Sequence, residues 1–361
     1  MEIKMTLKPE RERNSDSIKN AESLSFGKLR SDHMFLMNYE GGVWKDARIV
    51  PYGPVEVMPG AVALHYGKSV FEGAKAFRHE DGEIYTFRFE ENAKRMNHSL
   101  STLCMPEIPV DIQMEATLKL LDVERDWCPA QPESSLYIRP FVFGTEDALG
   151  MEPSATYTYC IMLSPSGAYY PGGFKNTVRL LITDRFHRAV SGGTGSAKCC
   201  GNYGQAFRAA KLSKTYGAKQ VLYLDSSNTY IEEVGAMNHF HITKDKTIVI
   251  PEFTDSILKS ITSISVMELA KSLGYEVRQE RIRINDFIEQ VKSGDIIEAG
   301  GFGTAAVITP VCEYIFENNE VITVGDCTIG ENIRKIYDAY TAIQTGDAED
   351  KFGWLTKVPR G

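Results

Sequence analysis

No run of apolar residues in this chain approaches the length of a membrane span, which excludes a membrane-crossing helix. Positive charge is in the minority: 40 Lys and Arg stand against 48 Asp and Glu, a net charge of −8. That balance argues against nucleic acid or an anionic membrane as the main partner, although a local basic pocket for a small anion is compatible with it. Cysteine is sparse and odd in number, 7 in all, with no metal-ligand spacing. The cysteines therefore read as reduced thiols of a cytosolic protein, and no metal is expected. Cys199 and Cys200 are neighbours that seldom pair with each other and read as small apolar packing residues. Met1 to about Ser25 lacks an apolar signal core, and Glu2, Glu10, Glu12, Asp16 and Glu22 count against a transit peptide. This segment reads as a flexible or loosely docked arm, with cytoplasm as the default location. There is no internal repeat and no low-complexity tract.

What is present suits one large domain or two moderate ones: 361 residues, 43% of them apolar. Residues 33–39 and 42–48 form a hairpin around Glu40-Gly41-Gly42, and the Asp81-Gly82 turn makes another between 74–78 and 84–88. Ala93, Met96, Leu100 and Leu103 repeat at helical spacing over 90–103, and a second helix spans about 110–127. Residues 136–143 and 157–163 are strands, completing an α+β module. Ser164 to Phe174 is dense in turn formers and aromatics and reads as an interdomain loop, with Tyr169 and Tyr170 suited to covering a site. Beyond it strands and helices alternate. A strand at 177–183 precedes hairpins at 221–233 and 238–250. An amphipathic helix follows over 261–273, ending at Gly274, and then a shorter helix, a strand at 295–299 and a late helix over 333–345.

The most informative stretch runs from Ser191 to Gln205. Gly192, Gly193 and Gly195 precede Lys198, and Gly201 and Gly204 follow it, so the lysine lies where backbone can bend tightly and approach a ligand. Either it is a solvated surface lysine, or it is an amine sheltered so that its pKa falls and it can attack a carbonyl.

Ser-Ala-Lys198-Cys-Cys-Gly-Asn-Tyr203 resembles the lysine segment of the branched-chain aminotransferases, pyridoxal-phosphate enzymes of fold type IV. His65 to Gly73, Tyr137-Ile-Arg-Pro140, Glu232 to Asn238, Gly303-Thr-Ala-Ala306 and Gly353-Trp-Leu355 resemble the same family in the same order, over roughly residues 25–361. The resemblance implies a mixed α+β and α/β, two-domain chain of the D-amino-acid aminotransferase-like fold. An arm at 1–25 leads to a small α+β domain at 26–164. A loop at 165–176 then leads to a larger domain at 177–361, with a mixed sheet or pseudo-barrel, which carries the lysine. The cofactor, pyridoxal 5′-phosphate, is expected between the two domains.

That cofactor needs an amine, an acid beside its ring nitrogen, a donor to its phenolate oxygen and an anion site for its phosphate. The resemblance assigns Lys198 as the catalytic amine. It assigns Glu233 as the acid, although Glu232 competes with it, because strand alternation turns only one of the pair inward. Tyr203 is the phenolate donor, or else a core aromatic. The phosphate falls to Arg95, with Lys94 the competing cation, and to the start of the helix at Ser260. There the amides of Ile261 and Thr262 would face it, with Thr304 as a further ligand. The family reads Gly-Ile-Thr where this chain has Ser260-Ile-Thr.

For substrate, the resemblance assigns an apolar wall to Phe71, Tyr169 and, across a homodimer interface, Tyr66. Tyr137 and Arg139 match the family's tyrosine and arginine, and alternation puts both on one strand face. Arg139 would meet the distal carboxylate of glutamate, or else serve a structural ion pair. The amides of Thr304 and Ala305 would hold the α-carboxylate. The implied reaction is ping-pong exchange of an amino group between Leu, Ile or Val and 2-oxoglutarate. Another fold type IV enzyme, a D-amino-acid aminotransferase or an aminodeoxychorismate lyase, shares the lysine and glutamate but lacks the Phe71-Glu-Gly and Tyr137-Ile-Arg-Pro signatures. A non-catalytic regulator on this fold would have lost the lysine. Ala306 and Thr309 stand where animal mitochondrial relatives carry a redox Cys-x-x-Cys, so no thiol switch is expected there, and Cys312 is expected to stand alone.

Overall fold

A computed structural model describes residues 1–19, 24–167 and 174–361. The chain divides into two compact units, Met1–Tyr169 with Ala197–Cys200 and Ile343–Gly361, and Tyr170–Ser196 with Gly201–Ala342.

In the first unit the order is β1 (Lys4–Met5), α1 (Asp16–Lys19), β2 (His33–Glu40), β3 (Val43–Pro51), α2 (Val62–Tyr66), β4 (Ser69–Phe71), β5 (Ala74–Arg78), β6 (Ile84–Phe87), α3 (Phe89–Thr102), α4 (Val110–Val123), β7 (Ser135–Gly144) and β8 (Tyr157–Ser166). The sheet runs β1-β3-β2-β8-β7-β5-β6, with β4 paired to β7. The β5–β6 hairpin turns on Gly82, at φ +78°, where a side chain would be strained. On α3, Phe89, Ala93, Met96 and Leu100 are buried at helical spacing, while Lys94 lies outward, bonded to Glu90 and Glu91. That face covers a core around Phe35, Ile49, Val70, Leu120, Ile138 and Ile161. Each such side chain contributes about 1.5–3 kcal/mol on burial.

In the second unit β9 (Val178–Ile182), α5 (Cys200–Thr215), β10 (Gln220–Leu224), β11 (Ile231–Val234), β12 (Met237–Thr243), β13 (Thr247–Pro251), α6 (Ile261–Ser272), β14 (Glu276–Glu280), α7 (Ile284–Ser293), β15 (Ile296–Gly303), β16 (Val307–Phe316), β17 (Val321–Thr323) and α8 (Glu331–Thr345) follow in turn. Strands β11-β10-β9-β16-β15-β12 close on themselves because β11 also pairs with β12. This is the pseudo-barrel. A Cβ at Gly300 would come within 2.6 Å of the Phe240 ring, which stacks on Phe302, so the wall there admits only glycine. Last comes β18 (Leu355–Lys357), which pairs with β6.

Four expectations are corrected. The arm is not loose throughout: β1 pairs in parallel with β3, and the Met1 ammonium meets Glu115 at 2.8 Å. The expected loop begins later than Pro165, because β8 runs to Ser166; most of the rest of that loop, with Tyr169, lies outside the described residues. The lysine segment and the C-terminus group with the first unit rather than with residues 177–342. Ala197 and Cys199 sit in the first unit's core, Val70 bridges to Cys199, and Val358 is wholly buried. Finally, Cys312 is not alone. It is disulfide-bonded to Cys327, with Cα atoms 4.9 Å apart, and the other cysteines are free. Of the adjacent pair, Cys199 is a packing residue as expected, and Cys200 is exposed. Among the described residues no helix is long and apolar enough to cross a membrane, and no cluster of His, Cys, Asp or Glu could hold a metal.

Two measurements check these features. Alkylation under denaturing conditions should block five thiols before reduction and seven after it. His239 and His241 on β12 are buried, and burial holds both well below the ordinary imidazole range, His241 at about 3. Between about pH 6.5 and 3 the unfolded chain therefore binds a proton at His241 that the folded chain refuses. Stability should fall as pH falls, by up to about 1.4 kcal/mol per pH unit for that one group. H241Q should flatten this acid limb in denaturant titrations.

Candidate active site

The backbone around Lys198 is tied to the first unit by hydrogen bonds. The Phe71 N–H donates to the Lys198 carbonyl at 3.0 Å, and the Lys198 N–H donates to Ser99 Oγ at 2.8 Å. These place the lysine Nζ 5.0 Å from the centroid of the Phe71 ring. The Arg139 guanidinium lies 4.9 Å from the same ring, and its Nη2 donates to Tyr137 Oη at 3.2 Å. Tyr137 and Arg139 thus share a face of β7, as alternation requires. A Cβ at position 73 would collide with Tyr137 Oη, so the glycine after Glu72 is a steric necessity. Phe71 is half-buried and Tyr137 buried. Tyr66 ends α2, is 47% exposed, and donates to the Leu149 carbonyl at 2.6 Å.

Arg95 points inward from α3, unlike Lys94. Its Nε and Nη2 donate to the two oxygens of Glu72 at 2.6 and 2.9 Å. Such a fork fixes the guanidinium plane. Asn92 Nδ2 adds a bond to Glu72 at 2.8 Å, and the carboxylate is 1% exposed.

In the second unit Glu232 and Glu233 are both buried, 6% and 3% exposed, so the expectation that one of them faces outward is corrected. Each has its own partner. Ser256 Oγ donates to Glu232, and Arg188 Nη2 lies 3.0 Å from Glu233. Burial pushes the Glu232 carboxyl up from the ordinary range, with the serine bond opposing it. Glu233 also accepts the Leu258 N–H at 2.6 Å, and Asn238 Oδ1 accepts from Ser260 N and Ser263 Oγ. The two residues shape the turn that enters α6. Ser260 caps that helix, its side chain accepting from Ser263 N–H at 3.2 Å. The serine therefore keeps the turn that glycine makes in the family pattern. The amides of Ile261 and Thr262, first in the helix, have no carbonyl four residues back within it. Thr304 and Ala305 lie in the turn between β15 and β16, and Tyr203 is half-buried on α5.

Taken unit by unit, the first offers an amine and an arginine, and the second a helix N-terminus, a phenol and a carboxylate with a buried arginine partner, the group types that pyridoxal 5′-phosphate requires. Sequence reading passed over Glu72, Asn92, Ser99 and Arg188. Glu72 lies inside the Phe71-Glu-Gly motif, and Asn92 and Ser99 stand at helical spacing from the expected Arg95, so Glu72, Asn92 and Ser99 had a local signal. Arg188 had none.

A family model described as amino-transferase class IV matches residues 69–314. A probable branched-chain-amino-acid aminotransferase of Staphylococcus aureus (strain N315) is 45% identical over 360 residues, 99% of this chain and 100% of that protein. Of solved structures, the branched-chain amino acid aminotransferase from Escherichia coli superposes with a TM-score of 0.72 at 27% identity, over 91% of this chain and 99% of that one. The T.th. branched-chain amino acid aminotransferase with pyridoxamine 5′-phosphate gives 0.70 at 27% identity, over 90% and 98%.

The Arg188–Glu233 pair makes a stability prediction. R188A leaves a buried carboxylate without its cation, and a loss of about 3–5 kcal/mol is expected in equilibrium unfolding. A loss below about 1 kcal/mol would mean that Arg188 does not hold Glu233.

Proposed function

Because the chain belongs to the class IV aminotransferases, and within them to the branched-chain-amino-acid aminotransferases, we propose that it exchanges the amino group of leucine, isoleucine or valine with 2-oxoglutarate on pyridoxal 5′-phosphate held by Lys198. The observation that carries this reading is the placement of Lys198: its main chain is fixed at both the N–H and the carbonyl, and its amine is directed over Phe71. When bound, the cofactor supplies the aldehyde that takes up the amino group and a ring that accepts the electron pair released at the substrate's α-carbon.

The chain's residues do the rest. Lys198 Nζ holds the cofactor at rest. With the cofactor bound, the same nitrogen would be the base that takes up and returns the substrate's α-proton. Glu233 would hold a proton on the cofactor's ring nitrogen, with Arg188 keeping that carboxylate in place. Tyr203 would donate to the phenolate oxygen. Arg95, the Ile261 and Thr262 amides and Thr304 would receive the phosphate. The apolar wall would fall to Phe71, to Tyr169, which lies outside the described residues, and across the dimer to Tyr66; Arg139, beside Tyr137, would receive the distal carboxylate of glutamate, and the Thr304 and Ala305 amides the α-carboxylate. The two half-reactions use one set of groups in turn, which is a ping-pong cycle.

A homodimer belongs to the same proposal, with Tyr66 serving the neighbouring subunit. It is supported by exposed apolar side chains around that tyrosine: Met58 at 57%, Leu64 at 63% and Leu149 at 70%. A cytoplasmic location is proposed alongside it; five free thiols support it and the Cys312–Cys327 disulfide counts the other way.

The test is the visible absorbance of the purified protein before and after L-leucine. The cofactor band should give way to the amine form, and borohydride should fix the cofactor to Lys198. K198A should lose the half-reaction by at least about 10²–10⁴-fold, the range for a positioned proton-transfer group. Conversion with D-amino acids but not with L-leucine would favour another fold type IV activity, and absence of any band would favour a non-catalytic role.

A further inference from the structure

Glu72 has no part in the assignments above, yet it is among the most buried charges in the first unit. A buried ion pair is a poor way to gain stability, since apolar residues of similar volume serve as well or better. Its geometry suggests another purpose. One face of α3 presents Asn92, Arg95 and Ser99, at i, i+3 and i+7. The first two grip the Glu72 carboxylate, and the third accepts the Lys198 N–H. Phe71, the residue before Glu72, donates to the Lys198 carbonyl, and the Gly73 N–H after it bonds Glu72 itself at 3.0 Å. Helix and strand therefore hold Glu72 and the lysine as one assembly.

Burial alone would raise the Glu72 carboxyl. The charges of Arg95 and Lys198, with hydrogen bonds from Arg95 and Asn92, outweigh it and hold the group below the ordinary carboxylate range. On the neighbouring strands stand Arg139 and Tyr137 of β7 and Lys75 of β5, across from Tyr137, while Glu90, Glu91 and Lys94 of α3 pair with one another on its outward side. Glu72 is the carboxylate that α3 grips on its inward side.

Resting on the reading of Lys198 as the cofactor-bearing amine, we propose that Glu72 is a positioning residue with two tasks. Its fork sets the Arg95 guanidinium for the cofactor's phosphate, and its fixed negative charge keeps a proton on the lysine nitrogen joined to the cofactor. The proton matters because a positively charged nitrogen there makes the adjoining carbon easier for an incoming amine to attack.

The test uses holoenzyme and reads cofactor, not turnover. In E72Q the negative charge is gone, so the protonated nitrogen is less favoured. The pH midpoint of the bound cofactor's visible absorbance should move down by about one unit or more. The dissociation constant for pyridoxal 5′-phosphate should rise about tenfold, as when the partner that orients a ligating group is removed. E72D keeps the charge but withdraws the fork, so its midpoint should stay near the wild-type value while affinity falls. A purely structural pair would change the melting temperature and leave both readings where they were. Folded E72Q with wild-type midpoint and affinity overturns the proposal, and so does E72D with wild-type affinity where E72Q does not fold. Failure of the underlying reading looks different, because wild-type protein itself would then show no visible band and no borohydride trapping at position 198.

Discussion

A lysine amine sits at the end of four flexible methylenes, and its usefulness depends on how firmly the other end is held. Here the two main-chain bonds at Lys198 and the burial of Ala197 and Cys199 on either side remove the backbone freedom that a glycine-flanked segment would otherwise keep. What remains is side-chain rotation over the Phe71 ring. The positions of Phe71, Glu72 and Arg95 follow from the same few bonds, since strand, helix and lysine segment all meet there.

A second theme is that three buried glutamates each hold a polar partner. Glu72 has Arg95 and Asn92, Glu233 has Arg188 and the Leu258 amide, and Glu232 has Ser256. Each unit thus carries its own arginine–glutamate pair. An uncompensated buried ion would cost several kcal/mol, so the partner of each buried acid is as necessary as the acid.

Much of this was legible beforehand. The 3.6-residue repeat found α3, α4 and α6 to within a few residues, and Asp81-Gly82 marked its hairpin. Alternation put Tyr137 and Arg139 together because a strand leaves no other choice. What escaped was non-local. Nothing in Ala197–Cys200 says that it belongs with residues 70 and 99 rather than with its own flanks. Cysteine spacing cannot reveal that Cys312 finds Cys327. Strand β16 carries Pro310 in its middle, a residue that argues against a central strand and hid this one. At Glu232 and Glu233 alternation misled, since a barrel wall backed by other elements can bury both faces.

The excursion of four residues from one unit into the other has a consequence for how such a protein can be cut, permuted or recombined. Neither unit is an uninterrupted length of gene. A fragment ending near residue 169 would keep Phe71, Glu72 and Arg95 but lose Lys198, and would also lose the closing strand at Leu355–Lys357. The complementary fragment would carry Lys198 away from its hydrogen-bonding partners. The two halves can be inherited and exchanged only as a whole.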